Sequence, residues 1–465
     1  MEELGRLYVN REAIVALGSI PGCFPEVPGQ EVSGLEYAEA LIARILELEE
    51  KAPCGCPKRS APPDAVSLPC PATEEIVRRL KEFLISSYKS STFNCCEHQP
   101  LPLMHGPPLE FKLKEGVKPF AVYTPAKVPA HWEEKVKADI ARDIALGVLE
   151  PVPTNVEMTG CHRMVICRKH NGDPRRTIDL QPLNDVSIRQ CHPTAPPLQQ
   201  ASTVPHNQKK SVLDYWNGYH SVSIREEDRH LTTFYSPWGR YRYKTAPQGY
   251  NTSGDAYTHR YDMVVMGVKN MRRVIDDTLL HEESIEKAFY QVASYLTLVG
   301  KNGIILNPDK FQFAADVVDW AGVRISADKV EPLPDHVQAL RNFPAPKTLT
   351  DMHSYFALVS QVSPYATQPE LQPFRDLLKK NSVFHWDDIL QKLFDERKNR
   401  IADKMLEGIT LFEVGRWTGV MTDWCKQGLG YMLVQKYCGC ENITPVCCAG
   451  GWKVCMVGSR FTSAA

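Results

Sequence analysis

The sequence predicts a multi-domain chain of the α/β (α+β) class. From about residue 110, short aliphatic and β-branched runs alternate with amphipathic helical segments, a texture typical of sheets covered by helices. The 465 residues are 43% hydrophobic and 23% charged, which is enough for several domains with a large core. The net charge of −1 shows no basic excess, so any nucleic-acid binding must rest on local patches.

The N-terminal part predicts little regular structure. Residues 1–51 contain a short strand-like run and an amphipathic helix, and residues 52–109 form a Pro/Cys-rich linker followed by a helix. The odd number of cysteines (15) and the absence of a signal peptide's apolar core predict an intracellular chain, in the cytoplasm or nucleus and not secreted. No apolar run reaches the ~20 residues that span a bilayer, so no membrane association is expected.

The middle of the chain predicts a regular order of elements. A helix is expected over 132–151, with Val136, Ile140 and Ile144 on one face. Two strands should flank the turn Asn171-Gly172, and another strand should end at Asp214. After a hairpin at 274–280, the pattern predicts a helix from 285 that ends at Gly300.

The C-terminal half predicts short strands and then helices. Strands are expected at 304–306, 311–313 and 319–326, and helices with proline breaks at 330–380. A new apolar strand pattern begins at residue 408.

Two adjacent carboxylates, Asp276 and Asp277, interrupt the apolar run VIDDTLL. For such a dipeptide alone, a surface hairpin with an acidic tip is the ordinary explanation. Two ionised groups side by side repel each other, and removing them from water is costly unless a cation compensates. Asp214 ends another apolar run upstream, and three carboxylates around two divalent ions would suit nucleotidyl transfer.

An ordered set of motifs makes this hypothesis specific. The chain contains, in order, KHNGDPRRTIDLQPLN, LDYWNGYHSVSI, PQGYNTSGDAY, VIDDTLL, LNPDKFQF, WAGVRIS and LRNFPAPKTLTDMHSYFAL. Over roughly 110–380 it resembles the reverse transcriptase of a gypsy-like long-terminal-repeat retrotransposon Pol polyprotein. The resemblance implies a right-hand polymerase with fingers and palm at 110–330, thumb at 331–385 and a connection at 386–407.

The same resemblance implies an RNA-directed DNA polymerase and its ligands. These are two Mg²⁺ ions, with Mn²⁺ as an alternative, deoxynucleoside triphosphates, and an RNA or DNA template-primer. Template contact is expected to be electrostatic, through local basic patches such as Lys209-Lys210 and Arg272-Arg273. The sequence does not predict the oligomeric state.

Site residues follow from the resemblance, position by position. Asp214, Asp276 and Asp277 match the metal-binding carboxylates, and Lys310 would protonate the leaving pyrophosphate. The remaining matches are Lys169 and Arg175 as triphosphate clamps, Gln248 and Gly249 under the incoming nucleotide, Tyr219 as the residue excluding a 2′-hydroxyl, and Trp320, Ala321 and Gly322 in the primer-grip hairpin. Ordinary alternatives are solvated charges for the two clamp cations, a turn lysine for Lys310 and core packing for Tyr219.

The match has departures within it. Val274 stands where the resembling family commonly has tyrosine in its metal-binding turn, which affects the expected handling of the primer end. Asp255 falls in the helix after PQGY, where relatives have small residues, and nothing in the sequence explains it.

The two ends of the chain resemble other retroelement parts. Residues 408–465 resemble the opening strands of a ribonuclease H that is truncated or eroded, with Asp423 as its first carboxylate and only Glu441 as a later acid. Residues 1–51 resemble a protease tail, but no Asp-Thr-Gly or Asp-Ser-Gly is present. Neither nuclease nor protease activity is therefore expected from this chain.

Two other functions remain open from the sequence. One is a catalytically decayed or domesticated retroelement protein that binds nucleic acid without turnover. The other is a host DNA-templated polymerase that shares the palm carboxylates but does not account for the ordered finger, primer-grip and thumb motifs.

Overall fold

The computed structural model describes residues 58–461, except 97–98, 118–120, 123, 126, 154, 157–159, 170, 217, 362–367, 379–383, 426–427 and 442–449. The strand and helix predicted in residues 1–51, and the protease-like tail that they resemble, lie outside the described residues. No helix in the part of the chain that the structure describes is long and apolar enough to cross a membrane.

The described residues form mixed helices and strands, and the α+β class is confirmed. Two predicted elements are wrong in their bounds: the helix expected over 132–151 ends at Ala145, and residues 304–306 form only isolated bridges at Leu306. The α-helices are α1 (Val77–Tyr88), α2 (Glu133–Ala145), α3 (Gln181–Val186), α4 (Pro197–Ala201), α5 (Ser253–Val265), α6 (Ile285–Lys301), α7 (Pro334–Arg341), α8 (Leu349–Gln361), α9 (Gln368–Arg375) and α10 (Asp388–Glu407). The strands of the N-terminal half are β1 (Leu149–Pro151), β2 (His162–Arg168), β3 (Pro174–Asp179), β4 (Lys209–Asp214), β5 (Phe234–Ser236), β6 (Gly239–Tyr243), β7 (Met271–Val274) and β8 (Asp277–Glu282). The later strands are β9 (Gln312–Ala315), β10 (Val318–Trp320), β11 (Val323–Ile325), β12 (Lys329–Pro332), β13 (Ile409–Thr410), β14 (Thr418–Cys425), β15 (Gly428–Lys436) and β16 (Trp452–Phe461).

A four-stranded sheet in the order β7-β8-β4-β9, called the central sheet below, lies between two hydrophobic layers. Leu213 and Leu280 belong to the large core that includes α1, α5 and α6. Val212 and Leu279, the neighbours of those residues along the strands, pack with the layer formed by β10 and β11. Because successive side chains of a strand point to opposite faces, continuous apolar runs in β4 and β8 are buried on both sides.

A five-stranded sheet in the order β1-β6-β5-β2-β3 precedes the central sheet in the chain. Strands β2 and β3 pair in antiparallel fashion around Asn171-Gly172, and Gly172 has a φ of +88°. Glycine adopts this left-handed conformation without steric cost, which explains why the predicted hairpin turns here. Helix α2 buries the face that the sequence predicts, with Val136 and Ile140 buried.

The segment after the central sheet forms one packed unit. The hairpin β10–β11 continues into β12, and β13 pairs with β12, so residues 409–410 join a four-stranded sheet. The buried cluster of α7 and α8 includes Phe394, Ile401 and Met405 of α10. Helix α10, in the segment expected as a connection, therefore shares a core with the segment expected as the thumb.

The last three strands form a separate antiparallel sheet, β14-β15-β16. Asp423 lies on β14, is exposed, and accepts a hydrogen bond from the backbone N–H of Trp424. Val420 and Trp424 on the same strand are 67% and 81% exposed.

The predicted end of the helix at Gly300 is wrong. Helix α6 continues to Lys301, and the left-handed glycine that follows is Gly303, with a φ of +76°. A Cβ atom at Gly300 would lie 2.2 Å from the Thr92 hydroxyl oxygen. Gly300 therefore allows close packing within the helix and does not terminate it.

The basic patches predicted for template contact are also wrong in part. Lys210 is fully buried, and its ammonium donates to the backbone carbonyls of Gln208 and Asp316. Arg273 is 7% exposed. A side chain enclosed in this way cannot reach a phosphate backbone, because residues of the opposite layers cover both faces of the central sheet.

His281 makes stability depend on pH. It is 2% exposed, and neither ring nitrogen has a hydrogen-bond partner among the described residues. Burial first, and then the charges of Arg272 and Lys210, lower the pKa of His281 from 6.5 to about 4. Because the folded-state pKa is depressed, stability is present above pH 6.5 and is lost as the pH falls towards 4.

We expect His281→Leu to flatten this acid dependence. The wild-type chain should lose on the order of 3 kcal/mol of unfolding free energy from this group between pH 7 and pH 4, and the variant should not. Urea unfolding at a series of pH values measures the difference, with His353→Leu, at an exposed position on α8, as the control. Parallel acid profiles for wild type and His281→Leu would contradict the expectation.

Candidate functional site

Three carboxylates meet at one end of the central sheet. Val274 of β7 pairs with Asp277 of β8, so Ile275 and Asp276 form the turn between the two strands. Asp277 also lies directly opposite Asp214, the last residue of β4, in the antiparallel register. The backbone carbonyl of Asp276 accepts a hydrogen bond from the Tyr215 N–H at 3.3 Å. The structure thus brings together the three aspartates singled out from the sequence.

The carboxylates are crowded and partly removed from water. Burial first, and then the nearby charge of Asp214, raise the pKa of Asp276 from 3.8 to about 6. The pKa of Asp277 rises to about 6 for the same two reasons, in the same order. Lys310 contacts the cluster directly, with its Nζ 3.0 Å from Asp214 Oδ2. The charges of Arg273 and Lys310 lower the pKa of Asp276, but burial and Asp214 outweigh them.

The donor chemistry of the cluster suits a hard divalent cation. Carboxylate oxygens are the ligands that Mg²⁺ prefers, and Asp276 Oδ1 is buried without a hydrogen-bond partner among the described residues. In the same residues, no three His, Cys, Asp or Glu side chains are already arranged around one metal position. An added cation would relieve the repulsion that raises both pKa values.

Gly218 leaves the space into which Asp276 extends. A Cβ atom at Gly218 would lie 3.1 Å from Asp276 Oδ1 and 2.9 Å from Tyr257 Cζ. Tyr257 is fully buried, and its hydroxyl has no hydrogen-bond partner among the described residues. Gly218 and Tyr257 border a small cavity that is also lined by Tyr215. A side chain larger than hydrogen at position 218 would therefore press on the carboxylate.

A buried network of hydroxyl groups packs beside the ends of the strands that carry the carboxylates. The hydroxyls of Tyr215, Tyr261 and Tyr295 hydrogen bond to one another, and Tyr261 Oη lies 3.0 Å from the Thr278 hydroxyl. Tyr215 and Thr278 directly follow Asp214 and Asp277, on the face of the central sheet that carries α5 and α6. The network ties the ends of both strands together, because its buried hydroxyls hydrogen bond to one another across the two strands and the packed helices.

Tyr219 lies beside the carboxylates. Its ring meets the Tyr257 ring edge-on, with centroids 5.7 Å apart, and the ring is partly exposed. A Cβ atom at Gly254 would lie 3.5 Å from the Tyr219 hydroxyl. Burial, and then the charge of Asp276, raise the pKa of Tyr219. This position next to Asp276 is compatible with the role expected from the resemblance.

Gln248 and Gly249 occupy an exposed turn held by Asn184, a residue that the motifs alone did not single out. Gly249 has a φ of +95°, and its carbonyl accepts a hydrogen bond from Asn184 Nδ2 at 2.8 Å. Asn184 Oδ1 also accepts from the Asn251 N–H at 2.8 Å. The side-chain amide of Asn184 therefore clamps both sides of the turn. Its place in the motif LQPLN was the available signal.

Lys169 and Arg175 are both exposed on the β2–β3 hairpin. The Lys169 N–H donates to the Asp173 carbonyl at 2.8 Å, which closes the turn between them. In the described part of the chain, neither cation pairs with the three carboxylates. The structure therefore leaves their role as triphosphate clamps a prediction.

The expected primer-grip hairpin is formed by β10 and β11. Ala321 and Gly322 make its turn, with φ values of +46° and +86°. Trp320 is 2% exposed and packs with Val212 and Leu279 of the central sheet. The hairpin is thus fixed against the sheet that carries the carboxylates.

The structure explains Asp255, which the sequence alone did not. Its Oδ2 accepts from Arg189 Nε and its Oδ1 from the His192 N–H, both at 2.9 Å. Asp255 therefore ties the segment before α4 to α5. The same segment also contacts Asp262, where His192 Nε2 lies 2.7 Å from Asp262 Oδ2.

Part of the chain is similar to known proteins. Residues 161–325 match the family model described as reverse transcriptase (RNA-dependent DNA polymerase). The Pol polyprotein from transposon 412 of Drosophila melanogaster is 20% identical over 388 residues, which cover 78% of this chain and 30% of that protein. The putative enzymatic polyprotein of Cassava vein mosaic virus is 24% identical over 257 residues, covering 52% of this chain and 39% of that protein. The chain thus spans less than half the length of these relatives.

Solved structures with a similar fold include foamy viral protease-reverse transcriptases. One, a dRH form in complex with double-stranded DNA, has a TM-score of 0.69 at 14% identity and covers 86% of this chain and 70% of that chain. Another, in complex with an RNA/DNA hybrid, has a TM-score of 0.66 at 14% identity, with 86% and 54% covered. At this identity the likeness concerns the fold.

We expect Gly218→Ala to destabilise the chain and displace the Asp276 carboxylate. The added methyl group would overlap Tyr257 and Asp276 Oδ1, and overpacking of this kind lowers the free energy of unfolding by about 1–3 kcal/mol. Thermal and urea unfolding measure the effect. Gly267→Ala is the matched control, because a Cβ atom there meets nothing within 4 Å. Equal stability of the two variants would contradict the expectation.

Proposed function

We propose that this chain, whose residues 161–325 match the reverse transcriptase family model and which is similar to a retrotransposon Pol polyprotein, is an RNA-directed DNA polymerase of a retroelement. It would extend a primer on an RNA or DNA template by using deoxynucleoside triphosphates. The relatives are longer polyproteins, so the proposal is limited to the part of them that this chain matches.

The observation that carries this proposal is the meeting of three carboxylates at the β4–β8 strand ends. In a purely structural acidic turn the carboxylates would be exposed to water, and exposed carboxylates keep pKa values near 4. Here burial and mutual repulsion raise the pKa of Asp276 and Asp277 to about 6. Strongly perturbed carboxylates next to a lysine are typical of a reacting site.

Asp214, Asp276 and Asp277 would hold the divalent cations, Mg²⁺ or Mn²⁺. The cations would lower the pKa of the attacking hydroxyl and neutralise charge on the leaving pyrophosphate. Asp276 Oδ1, which has no partner among the described residues, supports this assignment. The family match and the hard oxygen donors support it as well.

In the proposed reaction one phosphorus–oxygen bond forms and another breaks. The primer's 3′-oxygen bonds to the α-phosphorus of the incoming nucleotide, and the bond from that phosphorus to the bridging oxygen breaks. The 3′-hydroxyl proton passes to solvent, and pyrophosphate leaves. Lys310, whose ammonium lies 3.0 Å from Asp214 Oδ2, would donate a proton to the leaving pyrophosphate and regain one from water.

The remaining predicted residues surround this centre. Tyr219 would exclude a 2′-hydroxyl, since its ring lies beside Asp276 and is braced by Tyr257. The turn at Gln248 and Gly249 would lie under the nucleotide, Lys169 and Arg175 would bind the triphosphate, and the turn at Ala321 and Gly322 would contact the primer.

The alternative function is a retroelement protein that binds nucleic acid without turnover. Primer extension by the purified chain on an RNA template, with Mg²⁺ and deoxynucleotides, separates the two functions. Extension supports the polymerase, whereas binding of template-primer without extension supports the alternative. Asp423 stands on an exposed strand, and we propose no ribonuclease H activity for this chain.

We expect Asp276→Asn to abolish extension without weakening the fold. The substitution removes a metal ligand, so extension should fall below detection. It also removes a buried charge whose folded-state pKa is raised from 3.8 to about 6, a charge that destabilises the metal-free fold as the pH rises through 6. The variant should therefore be more stable by on the order of 1–3 kcal/mol at pH 7.5 without metal, and the difference should vanish near pH 4.

Primer extension and thermal melting, with and without Mg²⁺, test this expectation together. Asp309→Asn, at an exposed position in the nearby turn, is the control and should leave extension intact. Normal extension by Asp276→Asn would mean that the acidic pair is only a turn, and the proposed function would fall.

We expect Tyr219→Ala to let ribonucleotides compete with deoxynucleotides. Removal of the ring opens space for a 2′-hydroxyl, so discrimination in relative kcat/KM should fall by at least about tenfold. Tyr219→Phe keeps the ring and should retain discrimination. Unchanged discrimination in an active Tyr219→Ala variant would return Tyr219 to a packing role.

A further inference from the structure

Arg273 connects the interior of the protein to the metal-binding turn. It lies on β7, and its guanidinium stacks over the Tyr261 ring at 4.6 Å from the ring centroid. Its Nη1 donates to the backbone carbonyl of Ile275 at 3.0 Å. Its Nη2 pairs with Asp262 Oδ1 at 2.5 Å. One buried cation therefore joins the helix α5 to the residue before Asp276.

The residue that Arg273 contacts has a strained backbone. Ile275 has a φ of +50°, in the left-handed region that β-branched residues avoid. Its side chain does not hold it there by packing, because Ile275 is 43% exposed. Such a conformation persists only where surrounding contacts enforce it, and the hydrogen bond from Arg273 Nη1 is a contact of this kind.

Arg273 is itself held at several points. The side-chain amide of Gln200 accepts from the Arg273 N–H at 2.9 Å and donates to the Arg273 carbonyl at 2.5 Å. These two bonds satisfy the backbone N–H and carbonyl of Arg273 on β7, an edge strand of the central sheet. Asp262 is held in turn by His192 Nε2 at 2.7 Å. These contacts hold the guanidinium in the position from which it donates to the Ile275 carbonyl.

We propose that Arg273, paired with Asp262, is a positioning residue that holds the Ile275–Asp276 turn in the conformation required for metal binding. This rests on the proposed function, because it assigns a task to the same carboxylates. Arg273 is not one of the proposed metal ligands. It acts through the carbonyl of Ile275 and so sets where the Asp276 carboxylate points.

The test compares Arg273→Met with wild type in two measurements. The first is the Mg²⁺ concentration that gives half of the maximal rise in melting temperature, and the second is the Mg²⁺ concentration for half-maximal primer extension. Both should rise by about tenfold or more, as is usual when a group supporting a metal ligand is removed. The KM for template-primer should stay unchanged. Arg225→Met, which breaks a different Arg–Asp pair (Arg225 with Asp228), is the matched control and should shift neither.

A second substitution separates positioning from a general loss of stability. Asparagine adopts the left-handed region more easily than isoleucine does. Ile275→Asn should therefore let the turn keep its conformation without the contact from Arg273. Added to Arg273→Met, it should return the Mg²⁺ requirement to within about threefold of wild type, by the usual spread of context effects between coupled sites. If Arg273→Met does not fold, Asp262→Asn and Asp262→Asn with Ile275→Asn provide the same comparison.

Each outcome has one consequence. An unchanged Mg²⁺ requirement in Arg273→Met, or the absence of rescue by Ile275→Asn, overturns the positioning role while wild-type extension keeps the proposed function. A wild-type chain that neither extends primers nor gains stability from Mg²⁺ overturns the proposed function, and the positioning role with it.

Discussion

The crowding of three carboxylates at one end of the central sheet is the constraint on which the surrounding structure depends. The antiparallel register places Asp214 opposite Asp277, and the two-residue turn adds Asp276 beside them. Burial and repulsion together raise the pKa of the acidic pair to about 6. Only a chain that supplies compensating contacts can keep such a cluster, and Lys310 and Arg273 are the cations that lower the pKa of Asp276.

The neighbouring residues are arranged to tolerate this crowding without moving. Gly218 provides space for the Asp276 carboxylate, and the tyrosine hydroxyl network holds the strand ends on the face of the sheet that carries α5 and α6. The hairpin that contains Trp320 packs on the other face of the same sheet. The site is therefore built on strands enclosed by two hydrophobic layers, and the strain at Ile275 is confined to the turn. Rigid strands are better suited than loops to hold reacting groups in place.

Local patterns predict most of the regular elements and the meeting of Asp214 with the acidic pair, but few of the other long-range contacts. The helix face of Val136 and Ile140, and the hairpin at Asn171-Gly172, depend on periodicity and turn chemistry within a few residues, and both appear as expected. The pattern misplaces the helix end at Gly300 because the role of that glycine depends on Thr92, which is remote in sequence. Asp255 is explained only by Arg189, which the fold brings beside it from another segment.

The sequence by itself determined the order of motifs, the strand that ends at Asp214 and the acidic turn at Asp276 and Asp277. These features are local, because they depend only on the identity of each residue and on its neighbours in the sequence. Only the tertiary structure decided how deeply the carboxylates are buried, which cations approach them, and that Arg273 is enclosed and bonded to the turn. Burial and pKa depend on distances between residues far apart in the chain, because desolvation and Coulomb interactions act through space and not along the sequence.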